Sequence, residues 1–240
     1  MLENLILFDV PSKHGKAWSV FGWRTRMVLN YKGIPHEVKW LEYPDIAPTL
    51  ESFGLAPNPP SPLFKPYTVP TIKHPSVGYI MESNVIVKEL EKLHPEPSLH
   101  LDNGYYDKAR ASAEEAIYFL LPEIVPRISF TILNEGSIEY FNRTRGELLG
   151  MPVSEILKSD KAGENAWAAA KPGLEKMKAL LMENSSGPYI DGGQVSYADF
   201  IFASFYVFFE RVHGESFERL ISYDECFKRH YEACRKWIPE

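Results

Sequence analysis

The chain has 240 residues, enough for one large domain or two modest domains that bury a hydrophobic core. Hydrophobic residues make up 45% and charged residues 24%, which excludes disorder, coiled coil and collagen as descriptions of the whole chain. The formal net charge of −6 disfavours general binding of polyanions, so no nucleic-acid partner is expected.

Cysteine usage and hydrophobic patterning indicate where the protein resides. Only Cys226 and Cys234 occur, which fits a reduced intracellular setting better than a disulfide-stapled secreted fold. The longest apolar run, residues 200–209, is too short to span a bilayer, and the N-terminus is acidic where a signal peptide is basic. We therefore expect a cytoplasmic protein without a membrane partner.

Strand and helix patterns alternate at the start of the chain. Residues 4–9 form a short apolar run typical of a buried strand. Apolar residues at helical spacing follow from Ser19, and Gly33 ends that helix. Residues 37–43 predict a second strand, and Asp45 is a candidate start for a short helix.

The next segment predicts a hairpin and a third helix. Residues 55–66 hold five prolines and predict an irregular loop. A strand that contains a proline is predicted over residues 67–72, and residues 78–81 complete the hairpin. A helix opens at Glu82–Ser83. The order βαβαββα is that of an α/β thioredoxin-like unit.

The remainder of the chain predicts an all-α helical bundle. Pro95 and Pro97 interrupt the first pattern, so we expect a thioredoxin-like domain over residues 1–97 and a helical domain over residues 104–240. Helical patterns cover residues 105–133 and 164–183. Interior proline disfavours a helix, so we expect a bend or break at Pro122 and Pro126 and a break near Pro172–Gly173.

One helix start in the second half has a clear signature. Ser196 and Asp199 have the spacing of a capping box, in which the acid accepts from the amide of the capping residue. Residues 200–209 are apolar on nearly every side, so this helix should lie in the middle of the bundle.

Pro70 stands in a strand-like context where proline is disfavoured. About 5–6% of X–Pro bonds are cis, so that 19 prolines predict about one, and Pro70 is the best candidate. A cis bond would turn the Val69 backbone groups outward, where an extended peptide could pair with them. The alternative is a trans proline on an edge strand.

Two serines stand where predicted helices begin. The Ser83 hydroxyl and exposed amides there suit a carboxylate, and Glu82 suits an ammonium, so that an α-amino-acid head group fits both. A hydroxyl at Ser19 can donate to an anion, and the helix dipole would favour a bound thiolate over a thiol. The alternative for both serines is simple helix capping.

Taken together, these features resemble the glutathione S-transferases over essentially the whole chain. The resemblance extends to the fungal etherase-like class, which is related to lignin β-etherases. The matching segments are Ser19 before residues 24–29, residues 67–72, Glu82–Ser83, Ser196 with Asp199, and, for the etherase-like class, residues 17–19, 23–26, 29–35, 42–46 and 144–153.

The resemblance implies a glutathione site with named contacts. Ser19 would hydrogen-bond the glutathione sulfur, the Val69–Pro70 segment would pair with the cysteinyl backbone, and Glu82 with Ser83 would hold the γ-glutamyl end. Lys65 is the candidate donor for the glycine carboxylate. The implied pocket for the second substrate is aromatic, with candidates Trp18, Phe21, Tyr118 and Phe119.

The functional expectation is glutathione transfer to a hydrophobic aromatic electrophile or cleavage of an aryl ether, in a fungal detoxification role. The alternative is a binding protein, or ligandin, without turnover. The family resemblance also implies a homodimer. Residues 19–23 read Ser-Val-Phe-Gly-Trp where etherase-like relatives often show Ser-Pro-Asn-Thr-Trp, which predicts a more apolar pocket. Because the seven histidines are scattered and metal-site motifs are absent, no dedicated metal site is expected.

Overall fold

The computed structural model describes residues 4–61 and 65–239, so part of the proline-rich loop predicted over residues 55–66 lies outside the described residues. Within the described residues, the first half contains four strands and three helices in the predicted order βαβαββα. These are β1 Leu5–Asp9, α1 Val20–Tyr31, β2 His36–Trp40, α2 Tyr43–Ser52, β3 Thr71–His74, β4 Gly78–Met81 and α3 Ser83–Leu93.

The strands form one sheet in the order β2-β1-β3-β4. Strand β1 pairs in parallel with β2, and Leu5 lies opposite His36. Strand β3 is antiparallel to both neighbours, with Leu7 opposite Ile72 in the pair with β1. The crossover that links β1 to β2 contains α1. This topology confirms the thioredoxin-like fold.

The second half is helical, as predicted, and completes the confirmed fold class. Its helices are α4 Tyr106–Thr131, α5 Glu135–Leu149, α6 Val153–Ile156, α7 Glu164–Glu183, α8 Tyr197–Val212, α9 Gly214–Ile221 and α10 Glu225–Cys234, followed by one 3₁₀ turn. Every residue from 197 to 209 is buried, so α8 is the central helix that the sequence predicts. The division into domains 1–97 and 104–240 stays a prediction.

The break predicted near Pro172–Gly173 is wrong, and of the bend or break expected at Pro122 and Pro126, the break does not occur. Helix α4 runs through Pro122 and Pro126, and both prolines are buried. Helix α7 runs through Pro172. A Cβ atom at Gly173 would lie 2.6 Å from the backbone nitrogen of Ala116, so this glycine lets α7 approach α4 closely and does not end a helix. Packing of these buried faces outweighs the local cost of proline.

Two boundaries near the sheet also differ from the sequence prediction. Strand β3 begins at Thr71, after Pro70, because proline has no N–H for the ladder. Helix α2 begins at Tyr43, inside the predicted strand 37–43 and ahead of Asp45. Pro44 lies in its first turn, where the missing N–H has no intrahelical partner to lose.

The loop between β1 and α1 joins the two halves of the molecule. Lys13 N donates to the Ile132 carbonyl at 2.8 Å, and Lys13 Nζ donates to the Phe130 carbonyl at 2.7 Å. His14 Nε2 lies 2.8 Å from the Thr131 carbonyl. The C-terminal end of α4 is therefore held by the loop that leads to Ser19. Within the described residues, no helix is long and apolar enough to cross a membrane.

Candidate active site

Ser19 is the N-cap residue of α1, immediately after the loop that follows β1. Its backbone is extended, with φ −62° and ψ 132°, and its Oγ accepts from the Gly22 N–H at 3.5 Å. This contact uses an oxygen lone pair and leaves the hydroxyl proton available to a ligand. Capping and donation to an anion are therefore compatible at Ser19.

The first turn of α1 packs against the buried carboxylate of Asp9, a residue that was not predicted from the sequence. Asp9 ends β1, and its Oδ2 accepts from Arg26 Nε and Nη2, both at 3.1 Å. Burial raises the pKa of Asp9, and the Arg26 charge opposes that shift. A Cβ atom at Gly22 would lie 2.5 Å from Asp9 Oδ2, so only glycine lets the helix sit here. This contact fixes the helix end that presents Ser19.

The Val69–Pro70 peptide bond is cis, which confirms the prediction from the sequence. Within the described part of the chain, the Val69 N–H and carbonyl form no hydrogen bond. The segment is fixed on both sides, since Thr68 N contacts Met81 Sδ at 3.3 Å and Thr71 Oγ1 donates to the Thr68 carbonyl at 2.9 Å. Val69 thus presents an unused donor and acceptor on a fixed backbone.

Glu82 links β4 to α3 in a conformation that is uncommon for a residue with a side chain. Its φ is +76°, in the left-handed region. The carboxylate oxygen Oε1 accepts from Thr68 Oγ1 at 2.5 Å and from Asn58 Nδ2 at 2.9 Å. Among the described residues, Oε2 has no hydrogen-bond partner. Outliers of this kind concentrate at functional sites.

Asn58 and Thr68 hold Glu82 in place and were missed from the sequence. Asn58 N also donates to the Pro66 carbonyl at 2.7 Å, which folds the proline-rich loop toward Glu82. Thr68 directly precedes Val69 in the sequence, so its closeness to the predicted cis bond could have identified it. Asn58 is 24 positions from Glu82 in a loop without periodicity, so no local pattern identifies it.

Ser83 is the first residue of α3 and is buried. The N-cap is Glu82, so the alternative in which Ser83 caps the helix is wrong. Its hydroxyl forms no hydrogen bond to the described residues and lies beside the free backbone amides of the helix N-terminus. Lys65 Nζ lies 3.9 Å from Glu147 Oε2 in an exposed pair, and its proposed contact with a glycine carboxylate stays a prediction.

The aromatic residues proposed for the pocket fall into two groups. Trp18 is buried, its indole N–H donates to the Pro11 carbonyl, and its ring stacks on Phe208. Trp18 therefore packs in the core beside α8, and its contact with a second substrate stays a prediction. Phe21 is partly buried, whereas Tyr118 is 56% exposed and packs edge-on against the exposed ring of Phe119.

Two further findings on the described residues concern metal binding and a cavity away from this site. No group of three or more His, Cys, Asp or Glu side chains is placed there to hold a metal ion. An open cavity of about 480 Å³ lies between α5 and α6, and none of the predicted site residues lines it. The cavity is lined by Asn142, Arg143, Gly146, Met151, Pro152, Val153 and Ser154.

Comparison with known families agrees with this geometry. A model of the glutathione S-transferase N-terminal domain matches residues 18–93, and a model of the glutathione S-transferase C-terminal domain matches residues 108–237. The chain belongs to the glutathione S-transferase family. The expectation that glutathione is the co-substrate is confirmed at the level of the family.

Three fungal proteins are among the relatives that are similar to nearly the whole chain. The glutathione S-transferase-like protein ustS of Aspergillus flavus is 32% identical, over 97% of this chain and 89% of the relative. The glutathione transferase GSTFuA3 of Phanerochaete chrysosporium is 27% identical with a TM-score of 0.88, covering 99% of this chain and 98% of that structure. The glutathione S-transferase CsGST63524 of Ceriporiopsis subvermispora, solved with glutathione, is 28% identical with the same TM-score and covers 99% of both chains.

Proposed function

We propose that this protein is a glutathione transferase that conjugates or cleaves aromatic electrophiles, including aryl ethers, and uses Ser19 to stabilise the glutathione thiolate. The observation that supports this most directly is the arrangement of unused polar groups around the Val69–Pro70 segment. Val69 offers a backbone donor and acceptor, and Glu82 offers one open carboxylate oxygen. These groups match the backbone and the ammonium of a γ-glutamyl peptide.

The residues of the site divide the work of binding and activation. Glu82 and Ser83 hold the γ-glutamyl end, and Val69 pairs with the cysteinyl unit, so that the sulfur lies near the N-terminus of α1. There the Ser19 hydroxyl donates to the sulfur and, with the helix dipole, lowers the thiol pKa. The thiolate attacks an electrophilic carbon, a C–S bond forms, and the leaving group departs with its electron pair.

Phe21, Tyr118 and Phe119 are the proposed contacts of the aromatic electrophile. The etherase-like subtype, a homodimer, a cytoplasmic location and a detoxification role belong to the same proposal. The subtype, the homodimer and the detoxification role rest on the segments that resemble that class, whereas the cytoplasmic location rests on the cysteine usage and the absence of a signal-peptide pattern.

One pair of assays tests the proposal. Turnover is measured with 1-chloro-2,4-dinitrobenzene and with an aryl ether that releases a fluorescent phenol, while calorimetry measures glutathione binding. We expect saturable glutathione binding and turnover of at least one electrophile. Tight binding of aromatic dyes with no turnover of either electrophile would contradict the proposed enzyme activity and support the ligandin alternative. The family comparisons do not favour that alternative.

A further inference from the structure

A group of hydrogen-bond donors without acceptors lies between α1, α4 and the start of α8. Arg24 of α1 is only 2% exposed, and its Nε and Nη1 have no partner among the described residues. The Tyr197 hydroxyl is likewise buried and unpartnered, and so is Arg110 Nε. We call Arg24, Tyr106, Arg110 and Tyr197 the Arg24 cluster.

The groups of this cluster do not satisfy one another. Guanidinium groups can only donate, and no tyrosine hydroxyl lies within hydrogen-bond reach of Arg24. The neighbouring acids are on α4 and pair loosely with Arg110. Glu114 Oε1 lies 3.8 Å from it and Asp107 Oδ1 3.9 Å, and both acids are exposed. Among the described residues, the buried positive charge of Arg24 therefore lacks a bonded counter-charge, an arrangement that is costly for a buried ion and that a bound anion would relieve.

The electrostatics agree with the geometry. Burial lowers the pKa of Arg24, and the nearby Glu114 charge opposes this shift only in part. Burial also raises the pKa of Tyr197, so its hydroxyl stays protonated and able to donate. An oxyanion placed among these groups would meet donors from two separate helices.

The Arg24 cluster contacts Phe21, one of the residues proposed for the aromatic pocket. The Arg24 guanidinium lies over the Phe21 ring, 4.8 Å from its centroid, and the Tyr106 and Tyr197 rings are 5.6 Å apart. Phe21 and Arg24 are three residues apart on α1, a spacing that places both side chains on one face of the helix. A ring that contacts Phe21 can therefore direct a substituent toward Arg24.

We propose that the Arg24 cluster is an oxyanion-binding subsite of the acceptor pocket, so that the enzyme prefers aromatic electrophiles that bear a carboxylate or a sulfonate. This inference rests on the proposed function and specifies its second substrate. The carboxylate accepts from Arg24 and Tyr197, while the aromatic ring packs on Phe21. The sequence of residues 19–23 predicts a more apolar pocket, which would bind the aromatic ring of the substrate. The Arg24 cluster would bind its negative charge.

A matched pair of electrophiles tests the kinetic consequence. With 4-chloro-3-nitrobenzoate and its methyl ester, the glutathione thiolate forms a C–S bond at the ring carbon that loses chloride. The thiol proton goes to solvent. We expect the ratio of kcat/KM for the acid to kcat/KM for the ester to fall at least tenfold in Arg24→Met. The control Arg229→Met removes an exposed positive charge and should keep the wild-type ratio.

A second pair tests binding without turnover. The sulfonate dye 8-anilinonaphthalene-1-sulfonate and the neutral N-phenyl-1-naphthylamine share the same rings. We expect the dissociation constant of the sulfonate dye to rise at least tenfold in Arg24→Met, with a much smaller change for the neutral dye. Tyr197→Phe removes one hydroxyl that has no partner, so it should keep the wild-type melting temperature and weaken only the sulfonate dye, by about threefold or more.

The outcomes separate this inference from the proposed function. Loss of turnover with every electrophile would end the proposed function, while the two dyes would still report on the subsite. If Arg24→Met and Tyr197→Phe both leave the dye selectivity and the acid-to-ester ratio within twofold of wild type, the subsite does not exist. A fall in melting temperature in Tyr197→Phe with unchanged selectivity would assign the cluster a structural role and overturn the proposal.

Discussion

Helices α3 and α8 both begin beside an acidic residue, but the two carboxylates have different environments. At α8, Asp199 is buried and fully occupied: it accepts from Ser196 N at 2.7 Å and Ile190 N at 2.8 Å, and His230 Nε2 lies 3.0 Å away. At α3, Glu82 holds only two side-chain donors on one oxygen and leaves the other open. Asp199 therefore has a structural role, whereas Glu82 keeps one carboxylate oxygen available to a ligand.

Backbone geometry shows the same contrast. Ser196 has an extended backbone that any residue adopts, with φ −137°. Glu82 has φ +76°, a conformation that is unfavourable for a residue with a side chain, and no interaction within the helix offsets that cost. An acid whose conformation is unfavourable and whose bonds are incomplete is a better functional candidate than an acid with every bond made. The predictions below test this distinction.

The largest expected effect is on stability and comes from Asp199→Ala. Four buried groups, the Ser196 amide and hydroxyl, the Ile190 amide and the His230 ring, would lose their partner, at about 1–3 kcal/mol each, so we expect the free energy of unfolding to fall by at least about 4 kcal/mol. Denaturant unfolding measures this, and Asp160→Ala at an exposed position is the control. Glutathione affinity of the folded fraction should not change. A loss of affinity with unchanged stability would remove the structural assignment of Asp199.

The opposite pattern is expected for Glu82→Gln. The amide oxygen can still accept from Thr68 and Asn58, so the melting temperature should change little. A hydrogen bond to a charged group contributes about 1.5–3 kcal/mol, so the glutathione dissociation constant should rise about 10- to 100-fold. Calorimetry measures it, with Glu89→Gln on the same helix as the control. Wild-type affinity in Glu82→Gln would mean that the open oxygen does not meet the ammonium.

Ser19→Ala should affect chemistry more than binding. Without the hydroxyl, the pKa of the bound thiol should rise toward the free value of about 8.5, and each unit lowers turnover near neutral pH about tenfold. Ultraviolet titration of the bound thiolate reports the pKa directly. Ser19→Thr keeps a hydroxyl and is the matched control. An unchanged thiol pKa in Ser19→Ala would leave Ser19 with its capping role alone.

Ser19→Cys gives a complementary readout of the same assignment. Its thiolate should attack oxidised glutathione, forming a mixed disulfide and releasing one glutathione thiolate, and mass spectrometry should show the adduct. Cys226 and Cys234 are buried, and burial raises the pKa of both thiols, that of Cys226 to about 12. They therefore act as internal controls that should stay unmodified. Absence of an adduct on the introduced thiol would show that position 19 does not face the sulfur.

The smallest expected effect concerns a third acidic helix start. Asp224 caps α10 through Cys226 N and pairs with Lys178 at 2.6 Å, which lowers its pKa to about 2 from an ordinary 3.8. Because the folded pKa is the lower one, this stabilisation is complete above pH 4 and is lost as the pH falls toward 2. Unfolding curves of wild type and Asp224→Asn should converge across that interval. Parallel curves from pH 5 to pH 2 would contradict the assignment.

Features set by neighbouring residues were predictable, and features set by distant residues were not. The Ser196–Asp199 spacing and the strand-like context of Pro70 are local, and both predictions are confirmed. The cis bond at Glu96–Pro97 was not singled out, because nothing in its sequence context resembles a strand. The continuity of α4 through two prolines depends on burial, which local preference does not report.

The site residues were predictable to the same extent, that is, where they adjoin a local pattern in the sequence. Glu82 and Ser83 were identifiable because they adjoin a helix start, but Asn58 reaches Glu82 only through the folding of a proline-rich loop. Trp18 and Phe21 read alike as aromatic residues near Ser19. Only the packing against α8 shows that Trp18 belongs to the core, whereas Phe21 lies beneath a buried guanidinium.

The three contacts from Lys13 and His14 to the end of α4 have a consequence for protein engineering. The carbonyls of Phe130, Thr131 and Ile132 end a helix of one half, and their partners belong to a loop of the other half. A chimera that exchanges the thioredoxin-like half for that of a homologue must therefore bring a loop of matching length and donors. Where the loop does not match, the exchange removes the partners of the α4 carbonyls and also displaces Ser19. The compatibility of this loop therefore matters more than the residue at which the two sequences are joined.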